Sequence, residues 1–282
     1  MVFEIEMSAK KSETKSFYLF IYGFIITLLS ILLGYWVFPI HPGFVAISLI
    51  VLASSPLFYK IAQYEESKDI SNEDEIGLIK EHLKAIKAFT FWFLGLSFGF
   101  FIFSAFSSKN FVNNVFSLQI QVVSRINPGL TGGFKEALIS FITIAGNNLK
   151  VLLFCILFSF IFGIGSLFIL TWNASVFGFA TGALLRKEIN EITNNKFVNY
   201  FGAFTFSLLR FSLHGIIEII AYFIAGLAGS IISFSLVKHH FSSKKFDKIL
   251  LDVSDLIIIS VILILIAAFI EVFITPVVIS FF

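Results

Sequence analysis

The sequence predicts an all-α, polytopic membrane protein of about six to seven hydrophobic helices, with one long helix broken and one pair of segments re-entrant. Three observations carry this. Hydrophobic residues make up 57% of the chain and charged residues 13%, against about 25% charged in soluble domains. Several apolar runs approach or exceed the roughly 20 residues a helix needs to cross about 30 Å of hydrocarbon. One of those runs, 209–237, carries Arg210, His214 and Glu218 at i, i+4 and i+8, which share a helix face with a drift of about 40° per step. An ionised residue at the centre of a span costs roughly 2.5–3.5 kcal/mol on insertion scales, while each Leu or Ile returns only about 0.3–0.6 kcal/mol. That face, continued by Tyr222, Gly226 and Ser230, must look at protein or water.

Residues 1–16 form a charged leader with Glu4, Glu6, Lys10, Lys11, Glu13 and Lys15. The run after it lacks a small-residue cleavage pattern, so 17–38 is expected to be a retained first span and not a signal peptide. Pro39-Ile40-His41-Pro42 is short and Pro-rich enough to make a tight hairpin into a second span at 43–59, which Pro56 begins to break. The stretch 60–87 is strongly polar, with Glu65, Glu66, Asp69, Glu73, Asp74, Glu75, Glu81 and five lysines. It is expected to be a cytoplasmic, solvated interfacial helix capped by residues 71–74, with a docking surface for a soluble partner as the other reading. The chain thus divides into a leader and two-helix hairpin (1–59), this polar segment (60–87) and a membrane domain (88–282).

A third span is expected at 88–107. Residues 110–126 alternate apolar and neutral polar side chains at helical spacing and are too polar to span, so they are expected in the interface, as is a second amphipathic piece at 137–148. The apolar tract 151–185 is too long for one ordinary span, since about 35 helical residues reach roughly 52 Å; Gly163, Gly165 and Trp172-Asn173 offer break points. Ala174, Gly178 and Gly182 make a small-residue series at four-residue spacing, repeated by Ala221, Ala225, Gly229 and Ser233 with Gly226 beside them. Such faces let backbones approach closely, and the two are expected to meet each other.

Residues 197–208 lead into 209–237 without a loop. Placing the leader, 60–87, 186–196 and 238–248 in the cytoplasm gathers fifteen of the twenty basic residues there, as the positive-inside bias favours. This requires 197–237 to enter and return, turning near 210–215. A single crossing would leave Lys238, Lys244, Lys245 and Lys248 outside. The last span runs from 253 to about 278, with Glu271 inside it and Pro276 bending its end.

The lone Cys155 excludes an intrachain disulfide. The net charge of +2, with no basic patch interleaved with aromatics outside the spans, gives no footprint for nucleic acid. H-x-x-x-E is not the H-E-x-x-H of a metalloprotease, and no third nitrogen or sulfur ligand is near in sequence, so neither metal nor cofactor is expected. The serines near His214 lack a G-x-S-x-G setting, which leaves nucleophilic catalysis unsupported. The candidate buried polar network is Arg210, His214, Glu218, Glu271, Asn147, Asn148 and Asn173. Two glutamates and one arginine cannot all be neutralised pairwise, which leaves one carboxylate for His214, a proton or an ion. A structural network and an ion path both use this set.

Leu213-His214-Gly215-Ile216-Ile217-Glu218, followed by Ala221, Ala225, Gly226 and Gly229, resembles the HGxxE signature of the stage II sporulation protein M family. Residues 267–276, AAFIEVFITP, resemble its C-terminal A-x-x-x-E-x-x-x-T-P segment, while Asn147-Asn148, Gly163-Ile164-Gly165-Ser166 and Asn173 fall at its asparagine, Gly-x-Gly and Asn-Gly positions. The likeness covers roughly 110–276. Leu213 stands where the family often has proline, and Ala174 where it has the glycine of Asn-Gly. The resemblance implies an integral component of a multiprotein assembly, which in spore formers anchors peptidoglycan-remodelling enzymes and is not itself known as an enzyme. The expected role is therefore a scaffold in the plasma membrane with a cytoplasmic N-terminus. Its expected partners are the lipid bilayer, other membrane or envelope proteins and a second copy of the chain; the alternative is a transporter or permease-like subunit using His214, Glu218 and Glu271.

Overall fold

The computed structural model describes residues 16–71, 75–125, 134–191, 197–238 and 244–280. The helices are α1 (Phe17–Val37), α2 (Pro42–Ser71), α3 (Glu75–Phe106), the short α4 (Lys109–Val115) and α5 (Ser117–Arg125), α6 (Phe134–Phe162), α7 (Ser166–Glu191), α8 (Phe197–Lys238) and α9 (Lys244–Phe269). A π-helical turn, Ile270–Ile274, joins α9 to α10 (Thr275–Ile279). Among the described residues there is no strand, and α1, α2, α3, α6, α7, α8 and α9 are long and apolar enough to cross a membrane. The proposed capping residues 72–74 and the leader 1–15 lie outside the described residues.

Small residues set the packing. A Cβ on Gly23 would stand 2.5 Å from the carbonyl oxygen of Trp92, and one on Gly99 2.8 Å from the Thr27 side chain, so α1 and α3 run parallel at close range. Gly178 lies against Ser97 and Phe100, and Gly182 against Ser104 and Phe101, which makes α3 and α7 parallel as well. The Ser104 hydroxyl donates to the Phe179 carbonyl at 2.9 Å across this contact. Gly229 lies on Ile156 and Ser159, giving α6 and α8 a parallel register offset by about 70 residues. One end of the bundle therefore holds the α2–α3 and α8–α9 connections and the α6–α7 turn. Lys60, Lys68, Lys80, Lys84, Lys87, Lys238, Lys244, Lys245 and Lys248 ride on the helices leading to those connections. The opposite end holds the α1–α2 hairpin, the α3 C-terminus and the α7–α8 connection.

The re-entrant pair expected at 197–237 is replaced by one continuous helix, α8, of 42 residues. No proline interrupts it, and Gly202 and Gly215 each cost only about 1 kcal/mol relative to alanine. Inside a bilayer an unbroken helix alone keeps every backbone group bonded without help. The charge count that required a return is resolved elsewhere. Residues 137–148, expected as a separate interfacial piece, are the first half of the spanning helix α6; this adds a crossing and puts 186–196 and 238–248 at opposite ends.

Three smaller expectations also change. Pro56 does not break α2, which runs on to Ser71; the Tyr22 hydroxyl donates to the Ala53 carbonyl at 2.9 Å, next to the Leu52 carbonyl that the proline leaves without its helical donor. Within the polar stretch 60–87, residues 60–71 continue α2 and residues 75–87 open α3, so each described part is continuous with a span. The long tract breaks at Gly163 and not at Trp172-Asn173, which lie inside α7. Gly163 has φ +73°, the left-handed conformation that glycine adopts without steric cost.

The two small-residue faces do not meet. The Ala174, Gly178, Gly182 face is turned to α3, while Gly226 and Gly229 of the other face pack on Ser159, Ile156 and Ser166 of α6 and the start of α7. Each stripe accepts whichever helix has a matching bulge, and sequence spacing does not say which one that is. The centre is filled by Trp92, Phe100, Phe116, Tyr222 and Phe223, all nearly fully buried.

A polar cluster shared by α6, α8 and the π turn

His214 and Glu218 stand near the middle of α8, roughly 25–36 Å from either of its ends at 1.5 Å per residue. Neither faces open surface. The Asn148 carboxamide, buried on α6, donates from Nδ2 to Glu218 Oε1 at 2.5 Å. His214 Nε2 lies 3.9 Å from Glu271 Oε2, with side-chain exposures of 13% and 24%, so this pair is at the outer limit of an ion pair and Glu271 is partly reachable from outside. His214 Nδ1 is buried with no hydrogen-bond partner. One turn along α8 from Glu218, Tyr222 is buried.

Each group is placed by its own helix for a readable reason. Asn148, Leu152, Cys155 and Ser159 are buried at three- and four-residue spacing and form the face of α6 turned to α8. Glu271 is carried by the π turn, where Pro276 has no N–H to give and its ring crowds the carbonyl of Val272. The helix widens there: the Thr275 amide donates to the Ile270 carbonyl, five residues back, and the Thr275 hydroxyl donates to the same oxygen at 3.0 Å. Such one-turn bulges are frequent at functional sites.

The structure brings together Asn148, His214, Glu218 and Glu271 from the set read in the sequence. It leaves out the other three. Arg210 is exposed and makes no ion pair or hydrogen bond among the described residues, Asn147 is exposed on the outer side of α6, and Asn173 donates to Ile169 within its own helix at 2.8 Å. Ala174, Ala221 and Ala225 are fully buried at helix contacts.

Other polar ties were not singled out from the sequence. Glu65 and His82, buried near the lysine-rich end, join α2 to α3 at 2.6 Å. Their signal was positional, since Glu65 follows the buried Ile61 by four residues and His82 precedes the buried Ile86 by four. Arg186, near the end of α7, donates to the carbonyls of Ala105 (3.3 Å) and Ser107 (2.6 Å), capping α3 where its last carbonyls lack intrahelical donors. Gln119 of α5 donates to the Ser175 hydroxyl at 3.0 Å. Among the described residues no three His, Cys, Asp or Glu side chains are grouped as a metal site.

The seven membrane-length helices among the described residues, closely packed through glycines and tied by carboxamide, imidazole and carboxylate groups in the interior, define a multi-pass integral membrane protein. The sequence profile of the Stage II sporulation protein M family matches residues 23–276, and the chain belongs to that family. It is 32% identical over 163 residues to an uncharacterized protein of Methanocaldococcus jannaschii, covering 56% of this chain and 84% of that one. No solved structure matches it.

Proposed function

We propose that the protein is a non-enzymatic scaffold of the plasma membrane that recruits partner proteins of the membrane or envelope, with its lysine-rich end and N-terminus in the cytoplasm. The observation that carries this reading is the way the interior polar groups are used. Asn148 is bonded across a helix boundary to Glu218, His214 faces Glu271 across another, and just beyond them α8 is pressed onto α6 through Gly226 and Gly229. These groups hold helices in place.

A recruiting surface is available on α4 and α5. Val112, Val115, Phe116 and Gln119 are buried in the bundle, while Asn110, Asn113, Asn114 and Gln121 are exposed. An anchored pair of short helices that shows neutral carboxamides outward fits a protein partner that supplies hydrogen bonds. The lysine distribution between the two ends supports the orientation. The test is chemical cross-linking in native membranes followed by purification. Replacing Asn113 and Asn114 together by lysine should remove the captured partners at unchanged protein level; capture that is unaffected would sink the role assigned to this face.

A second reading, a permease-like subunit, is favoured by the partial exposure of His214 and Glu271 beside a helix irregularity, since broken helices line paths in transporters. Purified protein in liposomes that conducts an ion or solute, with flux abolished by Glu218→Gln and Glu271→Gln in a folded protein, would displace the scaffold reading.

A further inference from the structure

The outward face of α6 is apolar at both ends and polar in the middle. Exposed Leu138, Ile139 and Ile142 lie on one side of the break, and exposed Leu153, Leu157 and Ile161 on the other. Between them stand Asn147 and Lys150, both exposed. Lys150 is equally far in sequence from Leu138 and from Phe162, the last exposed apolar residues of the helix, which is about 18 Å of apolar helix each way. Asn148, two residues earlier, bonds to Glu218 in the interior. Two residues turn a helix by about 200°, so Lys150 leaves the bundle on the side opposite that bond. Neither Lys150 nor Asn147 makes an ion pair or side-chain hydrogen bond among the described residues.

Ionisable groups within a span turn to protein or water, and a lysine stem reaches the membrane surface only from near a helix end. Lys150 is not near one. Lipid tails have no acceptor to offer, and headgroups stay outside the hydrocarbon. That leaves protein, and an ammonium is best matched by a carboxylate. A second copy of this chain does not supply one: its carboxylates near this depth, Glu218 and Glu271, are turned to Asn148 and His214. Gly146 lies one turn before Lys150 on the same face, and a Cβ there would meet nothing within 4 Å. It leaves room for the backbone of an incoming helix beside the lysine, as small residues do at contacts within membranes.

We propose that this face of α6 binds a membrane-spanning helix of a partner protein that carries a carboxylate at mid-bilayer, with Lys150 and Asn147 on the carboxylate and Gly146 against the partner's backbone. The proposal rests on the scaffold reading and makes a partner's membrane anchor the part that is recognised. It is tested with the full-length protein in phosphatidylcholine liposomes and two synthetic spanning peptides of leucine and alanine, identical except for a glutamate or a leucine at the midpoint. Association is read by fluorescence energy transfer at low peptide density. The wild type should hold the glutamate peptide about tenfold more tightly than the leucine peptide. Lys150→Met and Lys150→Gln, either of which removes a charge from an exposed position, should cut that preference to within about twofold. Gly146→Leu should weaken the glutamate peptide about fivefold with Lys150 still in place. Arg210→Gln, at an exposed position of α8, should leave the preference unchanged. Equal binding of the two peptides by the wild type would overturn the proposal, as would a preference that survives both Lys150 variants or is lost with Arg210→Gln. None of these outcomes touches the scaffold reading itself, which is decided by capture through Asn113 and Asn114.

Discussion

The contact between α6 and α8 has two halves built on different physics. Toward the opposite end it is polar: Asn148 meets Glu218, and His214 faces Glu271 on the neighbouring π turn. Toward the lysine-rich end it is steric: Gly226 and Gly229 bring the backbone of α8 onto Ser159, Ser166 and the Ile156 carbonyl. Dispersion between close backbones grows with every atom in contact and tolerates no added volume. A side-chain hydrogen bond inside a membrane is worth only about 0.6 kcal/mol on average and about 1.7 kcal/mol at most. The comparison teaches that the glycine half sets how near the helices lie and supplies most of the hold, while the polar half sets their register.

The comparison is broken most severely at Gly229. Gly229→Leu should cost about 3 kcal/mol or more, because a side chain there meets backbone that cannot step aside, and should be seen as loss of the monodisperse protein or a large fall in unfolding temperature in detergent. A fall no larger than that of Asn148→Ala would reverse the assignment of the two halves. Asn148→Ala itself should cost about 1–2 kcal/mol. In a double-mutant cycle with Glu218→Ala, the loss should be well below the sum of the single losses, whereas simple additivity would show that the two groups do not interact.

Glu271→Gln should be smaller, about 0.5 kcal/mol, since the His214 contact is long and partly exposed. The same thermal assay checks it, and a loss comparable to Asn148→Ala would mean that the pair closes in the bilayer. Arg210→Gln should change stability by less than about 0.5 kcal/mol, because Arg210 reaches no partner among the described residues. A larger effect would restore Arg210 to the interior network.

Why Arg210 separates from its neighbours follows from helix geometry. A drift of about 40° per four residues accumulates to about 80° between Arg210 and Glu218, which is enough to carry the first residue out of an interface that holds the third. The identity of the interior acids and of Asn148 was legible, because ionisable and carboxamide groups inside apolar runs have few acceptable places to point. Their partners were not legible: Asn148 and Glu218 are 70 residues apart, and Asn147-Asn148-Leu149-Lys150 looks like the end of a surface segment until its acceptor is known. The helix break at Gly163 could be read because a left-handed residue leaves a mark in the sequence. The continuity of α8 could not, because lysine counting depends on every earlier crossing being assigned correctly, and the first half of α6 reads in sequence as an interfacial piece. The small-residue stripes were visible as contact faces, yet their partners depend on where the side chains that fill them, such as Phe100 on α3 and Ser159 on α6, lie.

The widened turn at Ile270–Ile274 also acts at a distance. Along α9 the outward positions recur as Ile258, Ile262, Leu265 with Ile266, and Phe269, and an uninterrupted α-helix would carry that row on to Val272 or Phe273. Instead Val272 is buried, and Ile274 and Val277 face out. The extra residue in the wide turn has rotated everything beyond it by about 100°, one residue's share of a helical turn. The last stretch of the chain thus keeps a phase of its own, and removing a single residue from the turn would swing Val277 and its neighbours to a different side of the molecule.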